Sequence, residues 1–220
     1  MKTRNSVFKQ ISKIAFATAG LLAASAVQAA SVSYYLDQSN ALVDGTNYLQ
    51  VTISDSTTVM GDIDFSVNVL SEAFSVSAGS NFGMQSFSFN FDDTIAVSAT
   101  DIINLSPSTW MISENQNAGG GFFKFDLQLD GTGNSRTELL SFSITGVDGD
   151  MVSSYATGSS LNPSSSEFFA AHVGGFNSTN GVTSAQFAGS SLVVIPVPAA
   201  LWLFGSGLIA LAGFARSKKR

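Results

Sequence analysis

The sequence predicts an all-β fold, an antiparallel β-sandwich, between Ala30 and Ser190. Three observations carry this. Apolar and polar residues alternate with a period of two through five separate stretches. Turn signals rich in Gly, Asp and Asn punctuate them. Charged residues are only 12% of the 220-residue chain against 45% hydrophobic, which supplies a real core and excludes a charge-driven disordered chain.

The elements follow in order. Leu49, Val51 and Ile53 alternate with Gln50, Thr52 and Ser54. Phe65, Val67 and Val69 alternate with Ser66 and Asn68. Phe74-Ser75-Val76 is a weaker candidate, as is Ile95-Ala96-Val97. Phe87, Phe89 and Phe91 form the third clear strand. Phe123, Phe125, Leu127 and Leu129 form the fourth, with Phe123 expected on its core side. Leu140, Phe142 and Ile144 form the fifth. Such alternation marks strands with one face in a core and one in water. Turns fall at Asp44-Gly45, Gly61-Asp62, Ala78 to Asn81, Gly119 to Gly121, Asp130-Gly131, Asp148-Gly149 and Gly174-Gly175. Seven or more short strands so spaced read as a sandwich. Ser164 to Glu167 offers a capping box before Phe168 to Val173, but that stretch reads slightly better as a strand. Ser191 to Ile195 is a last candidate, either closing a sheet or serving as a spacer.

The net charge of −6 conceals three regions. Four of the ten cations lie in the first thirteen residues and four in the last five. All sixteen acids lie between Asp37 and Glu167, where only Lys124 and Arg136 oppose them, a net of −14. An acidic domain argues against a nucleic-acid partner. The lack of cysteine excludes a disulfide scaffold, a thiolate zinc site and a thiol nucleophile.

Both ends read as addresses. Lys2, Arg4, Lys9 and Lys13 precede the apolar or small run Ile14 to Ala26, and Val27-Gln28-Ala29 places small side chains where a signal peptidase reads them. Residues 1–29 are therefore expected to be a signal peptide for the Sec machinery, cut between Ala29 and Ala30. At the other end Pro196-Val197-Pro198 precedes seventeen uncharged residues, Ala199 to Ala215. As a helix, Val197 to Ala215 would rise about 28 Å, enough for a hydrocarbon core of roughly 30 Å. Pro198 suits a helix start and Trp202 an interface. Arg216, Lys218, Lys219 and Arg220 would hold the tail in the cytoplasm.

The segment Val194 to Leu208, with the following apolar run and the basic tail, resembles the PEP-CTERM sorting signal of Gram-negative bacteria that make extracellular polysaccharide. This chain has Val197 where the usual motif has Glu; the Pro-x-Pro-Ala-Ala-x-Trp-Leu-Phe-Gly-Ser-Gly form is a familiar subtype. The resemblance covers about the last twenty-seven residues. It implies an exosortase as partner and cleavage near Pro196, Val197 and Pro198. It also implies a transient membrane anchor, 198–215, that includes Ala199, Trp202, Phe204, Gly205, Gly207 and Phe214. The expected organisation is signal peptide 1–29, ectodomain 30–190 and sorting region 191–220. The pieces Gln85 to Phe91, Gly121 to Asp126, Glu138 to Ile144 and Phe168 to Val173 also resemble a recurrent ectodomain of such proteins, similar in outline to cohesin-like sandwiches.

For chemistry the candidates are few. His172 is the one histidine, set between Ala171 and Val173 beside a Gly-Gly turn, and reads as a structural or surface residue. No Gly-x-Ser-x-Gly elbow occurs before the membrane segment, and Gly205-Ser206-Gly207 reads as helix packing. Zinc lacks its His pairs. Calcium suits the oxygen-rich turns, with Asp148 and Asp150 its candidates, although an Asp-Gly pair is also simply a turn. Tyr34, Tyr35, Tyr48, Tyr155 and Trp110 are candidate sugar platforms, Trp110 fitting a core better.

The expectation is a non-enzymatic protein of the cell surface or extracellular matrix. It would be exported across the cytoplasmic membrane, sorted by an exosortase, and structural or adhesive within biofilm exopolysaccharide. No organic cofactor is implied. The alternatives are a calcium-dependent carbohydrate-binding module and, behind it, a polysaccharide hydrolase.

Overall fold

The computed structural model describes residues 30–77, 80–158 and 166–193. The predicted signal peptide, its cleavage site at Ala29, and the whole sorting motif, anchor and basic tail lie outside the described residues. Twelve strands follow in chain order. They are β1 Ser31–Leu36, β2 Gln38–Ser39, β3 Leu49–Asp55, β4 Ile63–Val69, β5 Gly83–Phe89 and β6 Ile102–Ser106. Then come β7 Met111–Asn117, β8 Lys124–Asp130, β9 Leu139–Ile144, β10 Phe169–Gly174, β11 Ser184–Gly189 and β12 Ser191–Leu192. Short 3-10 turns occupy Ser71–Ala73, Ala99–Asp101 and Val152–Tyr155.

The strands form two six-stranded sheets, both antiparallel throughout. The first runs β12-β1-β3-β4-β9-β6 and the second β2-β11-β10-β5-β8-β7. The predicted sandwich is therefore present. Its core is one cluster drawn from the inward residues of both sheets. The first sheet contributes Leu49, Val51 and Ile53 from β3, Phe65 and Val67 from β4, and Leu140, Phe142 and Ile144 from β9. The second contributes Phe87 and Phe89 from β5, Leu127 and Leu129 from β8, Phe169 and Val173 from β10, and Phe187 from β11. These are the residues that alternation assigns inward.

Aromatic rings knit the two layers. Phe65 and Phe142 are cross-strand neighbours and stack with centroids 4.6 Å apart and planes 12° apart. Phe89 of the opposite sheet lies 5.1 Å from Phe65 and 5.7 Å from Phe142. Tyr155, fully buried, meets Phe65 edge-on at 5.6 Å. Offset and edge-on pairs are favoured by the ring quadrupole and add to what their buried area contributes.

One side of the sandwich is joined twice. β1 passes from the first sheet to β2 in the second, and β11 passes back from the second to β12 in the first. The crossings touch. A Cβ on Gly189 would lie 2.4 Å from the Tyr35 carbonyl oxygen, so only glycine fits at that corner.

Some expectations need correction. Phe74 to Val76 forms no strand; Ser75 makes only an isolated bridge to Asn177. Ile95 to Val97 is a connecting loop whose apolar side chains lean on the core. Phe123 precedes β8 and is 53% exposed, because the turn continues through it at φ 66°. By contrast, the strand reading of Phe168 to Val173 agrees with β10, Phe169–Gly174.

Candidate functional site

Three places merit chemical description. The first is an open groove of about 730 Å3 at one end of the sandwich. The β3–β4 turn and the loop after β9 line it, bringing together Asp55, Thr57, Thr58, Asp62, Asp148 and Asp150. The sequence singled out Asp148 and Asp150; the fold adds Asp55 and Asp62 from far earlier in the chain. Most of these carboxylates already serve the fold. Asp55 Oδ2 accepts the Ala30 backbone N–H at 2.9 Å. Asp62, only 5% exposed, accepts the Thr145 hydroxyl at 2.7 Å. Asp150 accepts the Tyr155 hydroxyl, and burial together with that carboxylate pushes the Tyr155 phenol far above its ordinary range.

Calcium asks for roughly six to eight oxygen ligands. Among the described residues no three His, Cys, Asp or Glu side chains gather as a metal set. Gly149, at φ 78°, lets the Asp148–Asp150 turn close tightly, but one of its two carboxylates is engaged by Tyr155. Side chains alone do not build a calcium shell there. The groove can draw small cations as counter-ions through its summed negative charge.

The second place is the outer face of the second sheet. Phe169, Ala171 and Val173 point into the core, so Ala170, His172 and Gly174 lie on the opposite face. His172 has Ser86 of β5 and Gln186 of β11 as cross-strand neighbours, and Asp130 stands across from Ser86. Arg136 lies against Gly174, where a Cβ would come within 2.7 Å of the guanidinium carbon. It donates to the Asn81 carbonyl at 3.1 Å and to Gln85 Oε1 at 3.3 Å. Burial, and then the Arg136 charge, hold the His172 imidazole below its ordinary pKa, with Asp130 opposing. Burial raises Asp130, with His172 opposing.

The residue types of a nucleophilic triad thus share one face. Ser86, however, is only 6% exposed, which withholds it from a substrate carbonyl. Sequence reasoning missed Ser86, Asp130, Arg136 and Gln186 as neighbours of His172, since they come from separate strands and no linear spacing joins them.

The third place is aromatic. Of the candidate platforms, Tyr48, Trp110 and Tyr155 are buried. Trp110 Nε1 donates to the Ser135 carbonyl at 2.9 Å, the usual arrangement for a core indole. Tyr34 is half-buried and packs edge-on against Phe168 at 5.5 Å. Phe123, which was expected inside, is instead the one aromatic among the large exposed hydrophobic residues described. The three glycines before it were the available signal.

Fold and site together define an acidic, two-sheet antiparallel β-sandwich with a charged end groove. Scans against family models, curated proteins and solved structures find no match to this chain.

Proposed function

We propose that this protein is an exported, non-catalytic component of a bacterial cell surface or extracellular matrix, released from a transient membrane anchor by an exosortase. One observation supports the reading above others. The last described strand of the sandwich lies just before Pro196, where the resemblance puts the sorting motif. β12 pairs with β1, Tyr34 opposite Leu192 and Tyr35 opposite Ser191, and Val193 donates to the Ser33 carbonyl at 2.8 Å. Pro196 follows three residues later. Ala30, the first residue after the expected signal-peptide cut, is held by Asp55 close to that same edge. Cleavage at either junction therefore removes none of the described core residues. Two prolines beyond the last paired residue keep the chain extended, the form a protease site binds. The net charge of −14 keeps copies of the released domain apart in a hydrated polymer.

The test is processing. In a Gram-negative host with an exosortase, the mature product should lack peptides from Leu201 to Arg220 by mass spectrometry. A Pro196→Ala, Pro198→Ala double variant should keep them. A wild-type product that retains those peptides overturns the reading.

A further inference from the structure

Both junctions of the sandwich open on one end. β1 pairs with β3 so that Ser31 faces Ser54 and Leu36 faces Leu49, which puts Ala30 beside the β3–β4 turn. Ala30 is held there by Asp55, a residue of the end groove. β12 runs antiparallel to β1, from Tyr35 towards Ser33, where the Val193 N–H donates. β12 thus points at that same end. Pro198, the expected start of the anchor, is five residues beyond Val193. Five residues reach at most about 18 Å. β3 alone spans about 23 Å between the two ends of the sandwich. An anchor starting at Pro198 would therefore hold the groove end against the bilayer, and not the opposite end.

That end carries apolar side chains where turns are ordinarily polar. The β3–β4 turn presents Val59, 50% exposed, and Met60, 98% exposed. The turn is braced from within. Ser56 N–H donates to the Asp62 carbonyl at 2.9 Å, and Ser56 Oγ accepts the Val59 N–H at 3.3 Å. Gly61, at φ 92°, turns the chain back directly after Met60. Met60 shares the groove with Val147 and Asp150, and Met151, 62% exposed, follows Asp150. Single apolar residues scattered on a surface are ordinary. Here three stand on two loops that meet at one groove, on the end where both junctions open.

We propose that Val59, Met60 and Met151 form a lipid-contact surface that seats the sandwich end-on upon a membrane of zwitterionic headgroups. Apolar side chains presented this way enter the boundary between headgroups and acyl chains. Methionine, unbranched and flexible, adapts to such an irregular surface. Asp55, Asp62, Asp148 and Asp150 around the groove repel anionic headgroups, which selects the zwitterionic surface. Seated so, the sandwich holds the Pro196 junction at the membrane surface, within reach of a membrane-embedded protease. The proposal rests on the anchor of the reading above.

The experiment uses the absence of cysteine from the chain. Met60→Cys and, at the opposite end, Val43→Cys each take one nitrobenzoxadiazole fluorophore; Val43 is itself 75% exposed. The full chain is reconstituted in phosphatidylcholine vesicles, some of whose lipids carry a nitroxide quencher near the headgroup end of an acyl chain. Quenching at position 60 should be at least threefold that at position 43. Adding Val59→Ser and Met151→Ser to Met60→Cys should at least halve it, and so should phosphatidylglycerol in the vesicles at low salt. Equal quenching at the two positions overturns the proposal. Quenching untouched by the two serines overturns it as well, since the tether alone then brings this end near lipid. Quenching undiminished by phosphatidylglycerol overturns the choice of a zwitterionic surface. A chain that does not float with the vesicles overturns the anchor and the contact together. A chain that floats without quenching at position 60 overturns the contact alone.

Discussion

At the scale of single residues, the environment of His172 carries a pH dependence. Its imidazole is half-buried beside Arg136, and its pKa is lowered by burial first and by that charge second. The folded state therefore favours the neutral ring. In the unfolded chain the ring titrates near about 6.5. As pH falls through that value the unfolded state takes up a proton that the folded state resists, and stability is lost. Between pH of about 7.5 and 5.5, His172→Gln should show a flatter melting profile than wild type. Equal slopes for the two proteins would remove His172 as the cause. Residues such as this one are half legible in a sequence. Its flanking alanine and valine imply a packed strand, but the guanidinium that biases its proton comes from another part of the chain.

At the scale of elements, legibility follows burial on one face only. β3, β4, β8 and β9 have a core side and a wet side, and their alternation was readable. β7 is an edge strand with no buried residue, so it has no apolar period to find. β11 fills its core positions with Ala185 and Phe187 and buries Ala188 and Gly189 as well, which blurs the pattern. The β1–β2 and β11–β12 crossings were invisible for another reason: their meeting depends on one missing Cβ. Gly189→Ala would force that Cβ onto the Tyr35 carbonyl oxygen at the corner. Overpacking of this kind costs typically about 1–3 kcal/mol, and a denaturant titration should show that loss with an unchanged slope. A midpoint equal to wild type would mean that the corner yields without penalty.

For the whole molecule, the absence of cysteine means that the sandwich is held without disulfides. The load falls on the aromatic centre, where Phe65 touches Phe142 on its own sheet, Phe89 across the interface and Tyr155 at the end. Phe65→Ala should cost about 3–5 kcal/mol, read as a fall in urea midpoint. A loss under about 1 kcal/mol would show that the layers repack without it. Composition made a core of this size legible; which rings meet depended on the pairing of β4 with β9 and on the stacking of sheets, neither of which is written locally.

The two-residue pairing of β12 with β1 also has a mechanical meaning. Tension applied through the C-terminal junction meets this short edge strand first. It would open like a zipper, one bond at a time, whereas six paired residues of β10 and β11 would resist as a block. Under the anchoring proposed above, a chain pulled through that junction would yield at its outermost strand, and the aromatic interior would be spared.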